Sequence, residues 1–312
     1  MKKEGCSNQG LLEDNEFVDY LLSLSTGQAS KGGSTSLRHL MNIVKHNPRK
    51  LKKWLDGILE LYLNDKNSSS VREYITYQMV KRHYEKTNWE LEYNREKFGY
   101  DARAQKNVNG RELTLYIEIK PRNVCGKLGH RDFYISISDY TPERFGEDLG
   151  NVNLNSFLVY AISGFIRGRL VYVVEAPFIC IMPTLLGSLI KKYAPDERRN
   201  ALLEKNERMR ERAYELAGRF ANLDIEVIIG EITTTELFKE IEQTAREILK
   251  SLKRDENSYL RSARVPGTEI ESCPMAKLLH LNEAIYNKSP IATRLKEYIS
   301  GLDKARKQRQ RR

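Results

Sequence analysis

The pattern of apolar and polar positions divides the chain into three regions. In residues 1–66 the apolar positions recur at helical spacing. Residues 11–24 carry one such stripe, and a Gly/Ser-rich loop (ASKGGSTS, residues 29–36) follows. Residues 37–45 and 49–63 then read as two helices split at Pro48. A further helix is predicted over residues 69–85, with serines at its start to serve as caps. The period then changes from that of a helix to that of a strand. Three strand-like stretches cover residues 89–95, 100–108 and 112–120. Leu113, Leu115, Ile117 and Ile119 alternate along the third. Between the second and third lies Asn109-Gly110, a strong signal for a two-residue type I′ hairpin turn, whose central positions both need positive φ.

Beyond residue 150 the pattern stays mixed. Residues 156–162 and 169–175 read as strands joined by a turn around residues 164–168, and residues 178–182 as another short strand. Residues 196–220 form a long charged helix, 224–229 (DIEVII) a short apolar strand, and 233–252 a helix. Pro266, Gly267 and Pro274 interrupt the chain before a C-terminal part read as helical. The expected fold is α/β: a mixed-sheet core over residues 67–255 flanked by helices, with a helical region before it (1–66) and another after it (256–312).

Charge adds a second layer. The formal net charge is +10, and the last nine residues, KARKQRQRR, carry six of those charges, which leaves about +4 (10 minus 6) on the rest. A basic tail suits attraction to a polyanion such as DNA, and it is also a common solvated terminus. No apolar run approaches the roughly 20 residues of a membrane helix. The opening residues lack the apolar stretch of a signal peptide, so a cytoplasmic protein without a membrane partner is expected. Cys6, Cys125, Cys180 and Cys273 are far apart and form no CxxC pair, and they are expected to be inert thiols.

The residues that carry chemistry sit on the hairpin. Asp101 opens its first strand, and Glu118 and Lys120 close the second in the run LYIEIKP. Two residues apart on a strand, Glu118 and Lys120 share a face. Asp101 lies eight residues before the turn and Glu118 eight after it, so the hairpin sets them opposite each other. Composition alone gives roughly three acidic-x-Lys triplets in such a chain. This sequence has one, at the end of its most regular strand. Two carboxylates can hold a hard cation such as Mg²⁺, with the Ile119 carbonyl as a third oxygen donor. A lysine beside them can orient a water or stabilise charge on a phosphate.

An acidic residue on one hairpin strand and E-x-K on the next resembles the PD-(D/E)xK nuclease superfamily. The likeness covers residues from about 69 to 120, and Tyr100 stands where the motif's name puts proline. Length and helical decoration are similar to those of type II restriction endonucleases. The resemblance implies a restriction-endonuclease-like fold and a Mg²⁺-dependent, sequence-specific cut in double-stranded DNA that leaves 5′-phosphate ends. It also implies a homodimer with one active site per strand. Asp101, Glu118 and Lys120 would be catalytic, with Asp101, Glu118 and Ile119 as metal ligands and Glu73, on the preceding helix, as a further candidate.

The loop after Lys120 (RNVCGKLGHRD) supplies Arg122, Lys127, His130 and Arg131 as candidate DNA contacts, although an ordinary solvated loop has the same composition. The charged helix over 196–220 reads as an exposed face or as a docking surface for DNA or a second subunit. No P-loop, GxGxxG, HExxH or G-x-S-x-G motif occurs, which removes the common nucleotide-hydrolase, dehydrogenase, zincin and α/β-hydrolase readings. Two other readings stay open: a structure-specific nuclease of the same superfamily, and a non-catalytic DNA-binding protein.

Overall fold

The structure is a computed structural model and describes residues 69–94, 99–123, 134–137, 140–166, 169–252 and 263–282. The helices expected in residues 1–66 and the basic C-terminal tail lie outside these residues.

Helix α1 (Ser69–Glu85) leads into three antiparallel strands: β1 (Glu90–Tyr93), β2 (Ala102–Val108) and β3 (Arg111–Asn123). Short strand β4 (Tyr134–Ile137) and helix α2 (Pro142–Gly150) follow, and then β5 (Ser156–Ile166), which pairs with β3 in parallel. Strand β6 (Arg169–Pro177) returns antiparallel to β5. The six-stranded sheet has the order β1-β2-β3-β5-β6-β8, in which β8 is Lys277–Leu281. A second, two-stranded sheet pairs β4 with β7 (Ala263–Pro266). The fold is therefore mixed α/β, with a mixed sheet flanked by helices.

Alternation explains the core. Ala102 and Ala104 on β2, and Leu113, Leu115, Ile117 and Ile119 on β3, are buried. Helix α1 packs on this side, where Thr76 and Ser163 share a hydrogen bond of 2.6 Å between their hydroxyls. Strands β5 and β6 lie inside the sheet and read as near-continuous apolar runs because both their faces are covered. Gly164 within β5 sits at a register shift, and a Cβ there would overlap the Tyr172 ring of β6.

Helix α3 (Phe178–Tyr193) packs against α4 (Asp196–Phe220), and α4 against α6 (Glu236–Lys250). A short helix, α5 (Ile225–Glu231), follows α4 in the chain. Helix α7 (Gly267–Ser272) precedes β8.

Several expectations are corrected. Residues 178–182 open helix α3 instead of forming a strand; the run is apolar on every side because the helix is buried on almost every side. Residues 225–229 lie in helix α5, with Asp224 at its N-cap, and the buried set Ile225, Ile228, Ile229 and Ile232 follows helical spacing. The turn expected around residues 164–168 narrows, since β5 runs to Ile166 and β6 starts at Arg169. The described part of residues 256–312 holds two strands as well as a helix, and β8 completes the main sheet. Cys180 and Cys273 are not free thiols: they form a buried disulfide between α3 and the end of α7, with Cα atoms 5.8 Å apart. Such bonds are rare in reducing compartments. No helix among the described residues is long and apolar enough to cross a membrane.

Candidate active site

The hairpin turn sets the site. Asn109 and Gly110 have φ of 54° and 80°, and Val108 pairs with Arg111, so the loop is the expected two-residue turn. The register runs unbroken to Ala102↔Ile117, which brings Asp101 level with Glu118 one step further on. The Asp101 amide donates to the Ile117 carbonyl at 3.0 Å, and Asp101 Oδ2 accepts the Ile119 amide at 2.6 Å. Lys120 Nζ donates to Glu118 Oε2 at 2.8 Å and lies 3.6 Å from Asp101 Oδ2. The three residues expected to act together are therefore in mutual contact. Ile119, between them, has its side chain in the core and its amide on Asp101.

Two further carboxylates complete the cluster. Glu73, on α1, accepts the Tyr93 hydroxyl at 2.7 Å, and its charge is close enough to Asp101, Lys120 and Glu118 to interact with all three. Asp148, on α2, is buried and accepts the hydroxyls of Tyr140 (2.8 Å) and Tyr160 (3.1 Å). Between Asp148 and Glu118 stands Arg144. Its Nη2 donates to Glu118 Oε1 and to the Gly99 carbonyl, and its Nε lies 3.4 Å from Asp148 Oδ1. Neither Arg144 nor Asp148 was among the residues expected from sequence. Their signal was local: Thr141 caps α2 through the Arg144 amide, Pro142 starts the helix, and Arg144 and Asp148 are four residues apart on it.

The electrostatics follow from burial. Glu118 is pushed up to about 7 by burial and by Asp101, against the pull of Lys120 and Arg144. Glu73 is pushed up to about 7, first by burial and then by Asp101, with its Tyr93 hydrogen bond opposing. Burial also raises Asp148, although Arg144 and the two tyrosine hydroxyls oppose it. Burial alone would lower Lys120, but Glu118 and Asp101 outweigh it and hold the ammonium well above its usual range. Fully ionised, the four carboxylates would exceed the two cations by two negative charges; with Glu73 and Glu118 raised to about 7, part of that excess is carried by protons near neutral pH.

A divalent ion that replaced those protons would balance the cluster, and the donors are the hard oxygens that Mg²⁺ takes. Among the described residues no group of three or more His, Cys, Asp or Glu side chains is arranged to hold a metal. The donor set on offer is therefore Asp101 and Glu118 with the Ile119 carbonyl, the remaining positions being left to water and phosphate. Mg²⁺ is commonly held by one or two carboxylates in this way.

The other candidates divide. Arg122 Nη2 donates to the Ser136 carbonyl at 3.0 Å and so ties β3 to β4. Lys127, His130 and Arg131 lie outside the described residues. Helix α4 spends many of its charges within the chain, through Arg212–Glu240, Lys205–Glu247 and Arg210–Glu269. A cleft of about 690 Å³ opens at the Asn109–Gly110 end of the hairpin, lined by Tyr84, Lys106, Glu175 and Lys277 among others, and includes none of the acidic-cluster residues. No family model, no curated protein and no solved structure matches this chain.

Proposed function

We propose that this chain is a Mg²⁺-dependent nuclease of the PD-(D/E)xK kind that hydrolyses double-stranded DNA. Within that class we read it as a type II restriction endonuclease acting as a homodimer. One observation carries the reading: a hairpin whose register sets Asp101 beside the Glu118-x-Lys120 pair at one end of the paired strands, inside a cluster of carboxylates. The order of helix, three antiparallel strands, helix and a strand parallel to the third supports a restriction-endonuclease-like core.

The residues divide the work as follows. Asp101 and Glu118, with the Ile119 carbonyl, hold the cation. Bound there, Mg²⁺ polarises the phosphate and acidifies a water. Lys120 orients the attacking water or stabilises charge on the phosphate. Attack of the water on phosphorus breaks the P–O3′ bond, leaving a 5′-phosphate and a 3′-hydroxyl. Glu73 adds negative charge at the rim of the cluster.

The test is incubation of the full chain with unmethylated phage-sized duplex DNA, in Mg²⁺ or in EDTA, beside Lys120→Ala. Discrete fragments that need Mg²⁺ and vanish in the variant are expected. A smear with the same dependences would keep the nuclease and remove the restriction reading. No cleavage, with DNA binding indifferent to Ca²⁺ and EDTA, would overturn the nuclease and favour a non-catalytic DNA-binding protein.

A further inference from the structure

Both oxygens of Glu118 already carry a cationic donor. Lys120 occupies Oε2 and Arg144 occupies Oε1, and the carboxylate is only 5% exposed. A divalent cation on Glu118 would meet two positive charges already there, and like-charge repulsion favours moving one of them away. The two differ in what else holds them. Lys120 has Asp101 as its second partner, and Asp101 is itself a candidate ligand. Arg144 has anchors that no metal contests: Asp148, one helical turn along α2, and the Gly99 carbonyl at 2.6 Å. Asp148 is fixed in turn by the hydroxyls of Tyr140 and Tyr160, and Tyr160 is the register neighbour of Glu118 on β5. The guanidinium is thus tethered at one side and exchangeable at the other.

We propose that Arg144 is a built-in counter-ion of the metal site: it occupies Glu118 in the free protein, and a divalent cation binds by replacing it. This rests on the nuclease reading above. The released guanidinium stays on its Asp148 tether at the rim of the site, a fork of donors suited to a phosphate oxygen. A phosphate gives Arg144 a new partner, so DNA favours metal entry and metal favours DNA. Arg144 is in this sense a positioning residue that links the two ligands.

The experiment measures Mn²⁺ affinity of the full-length free protein, from the electron paramagnetic resonance of unbound Mn²⁺, without DNA. Wild type is compared with Arg144→Ala, Arg144→Lys and the double variant Arg144→Ala/Asp148→Asn. The double variant removes one charge of each sign and relieves the buried Asp148 left alone in the single variant. It therefore isolates competition for Glu118 from the general field. Both alanine variants are expected to bind Mn²⁺ about five-fold or more tightly than wild type, within the usual range of coupling between sites. Arg144→Lys should lie between, since it keeps a charge without the fork. Unchanged or weaker binding in the alanine variants overturns the proposal, as does tightening in the single but not the double variant. Mn²⁺ binding by wild type that these substitutions leave unmoved sinks this inference alone. If neither wild type nor any variant binds Mn²⁺, this inference fails, and the nuclease reading is then decided by the Mg²⁺-dependent cleavage assay alone.

Discussion

Asp101 grips the strand opposite by its backbone: Oδ2 accepts the Ile119 amide at 2.6 Å, so one carboxylate both faces the cluster and fixes the peptide between Glu118 and Lys120. The two roles separate by substitution. Asp101→Asn keeps an oxygen for the Ile119 amide and loses the charge. Its stability should stay within about 1 kcal/mol of wild type while metal-dependent cleavage is lost. Asp101→Ala orphans a buried amide as well and should cost about 1–3 kcal/mol. Urea unfolding of both variants, beside a cleavage assay, checks this. Equal stability losses would mean that the hydrogen bond does not fix the strand.

How much of this was legible in the chain depends on range. The hairpin was readable because Asn109-Gly110 answers a local steric demand and the alternation of Leu113 to Ile119 fixes which residues face inward. Those two features alone place Asp101 beside Glu118. Helix α1 was readable to the residue. The apolar runs at 178–182 and 224–229 misled because a short apolar stretch fits a buried helix as well as a strand, and only the longer spacing of Ile225 to Ile232 decides. Strand β8 and the Cys180–Cys273 bond depend on pairing across long separations, 93 residues for the cysteines, which no local pattern encodes. Arg144 was missed for the same reason. Its meaning lies in Glu118, 26 residues earlier, although Thr141-Pro142 marked its helix.

Gly164 is held by the ring of Tyr172 on the next strand. Gly164→Ala should therefore destabilise the sheet by overpacking, by about 1–3 kcal/mol in chemical denaturation. Tyr172→Leu in the same chain should recover part of that loss, because it removes the ring the methyl meets. A double variant no better than the sum of the two single ones would place the strain elsewhere.

The Cys180–Cys273 bond ties helix α3 to the residues just before β8. Unfolding in denaturant without reductant should leave both sulfurs unreactive to iodoacetamide, and prior reduction should expose both. Replacing the pair with alanine should lower stability by about 2–4 kcal/mol, the usual contribution of a disulfide. Alkylation of both positions in unreduced, unfolded protein would show that the bond does not form.

Glu175 gives the fold a pH dependence separate from the acidic cluster. It is buried on β6, accepts the Tyr84 hydroxyl and lies near Lys277. Burial pushes its carboxyl above the usual 4.5, with Lys277 and the Tyr84 hydroxyl pulling the other way. The folded state therefore holds this proton more tightly than the unfolded chain does. The stability so gained is complete below the unfolded value and is lost as pH rises through the folded one. Glu175→Gln cannot ionise and still offers Tyr84 an acceptor. Its stability relative to wild type should accordingly rise as the pH climbs above the ordinary carboxylate range, measured by urea unfolding at intervals from mildly acidic to mildly alkaline pH. The comparison is between two chains at each pH, so the titration of Glu73 and Glu118, common to both, cancels. A gap that stays constant across the range would mean that Tyr84 and Lys277 hold the Glu175 carboxyl at its ordinary value despite its burial.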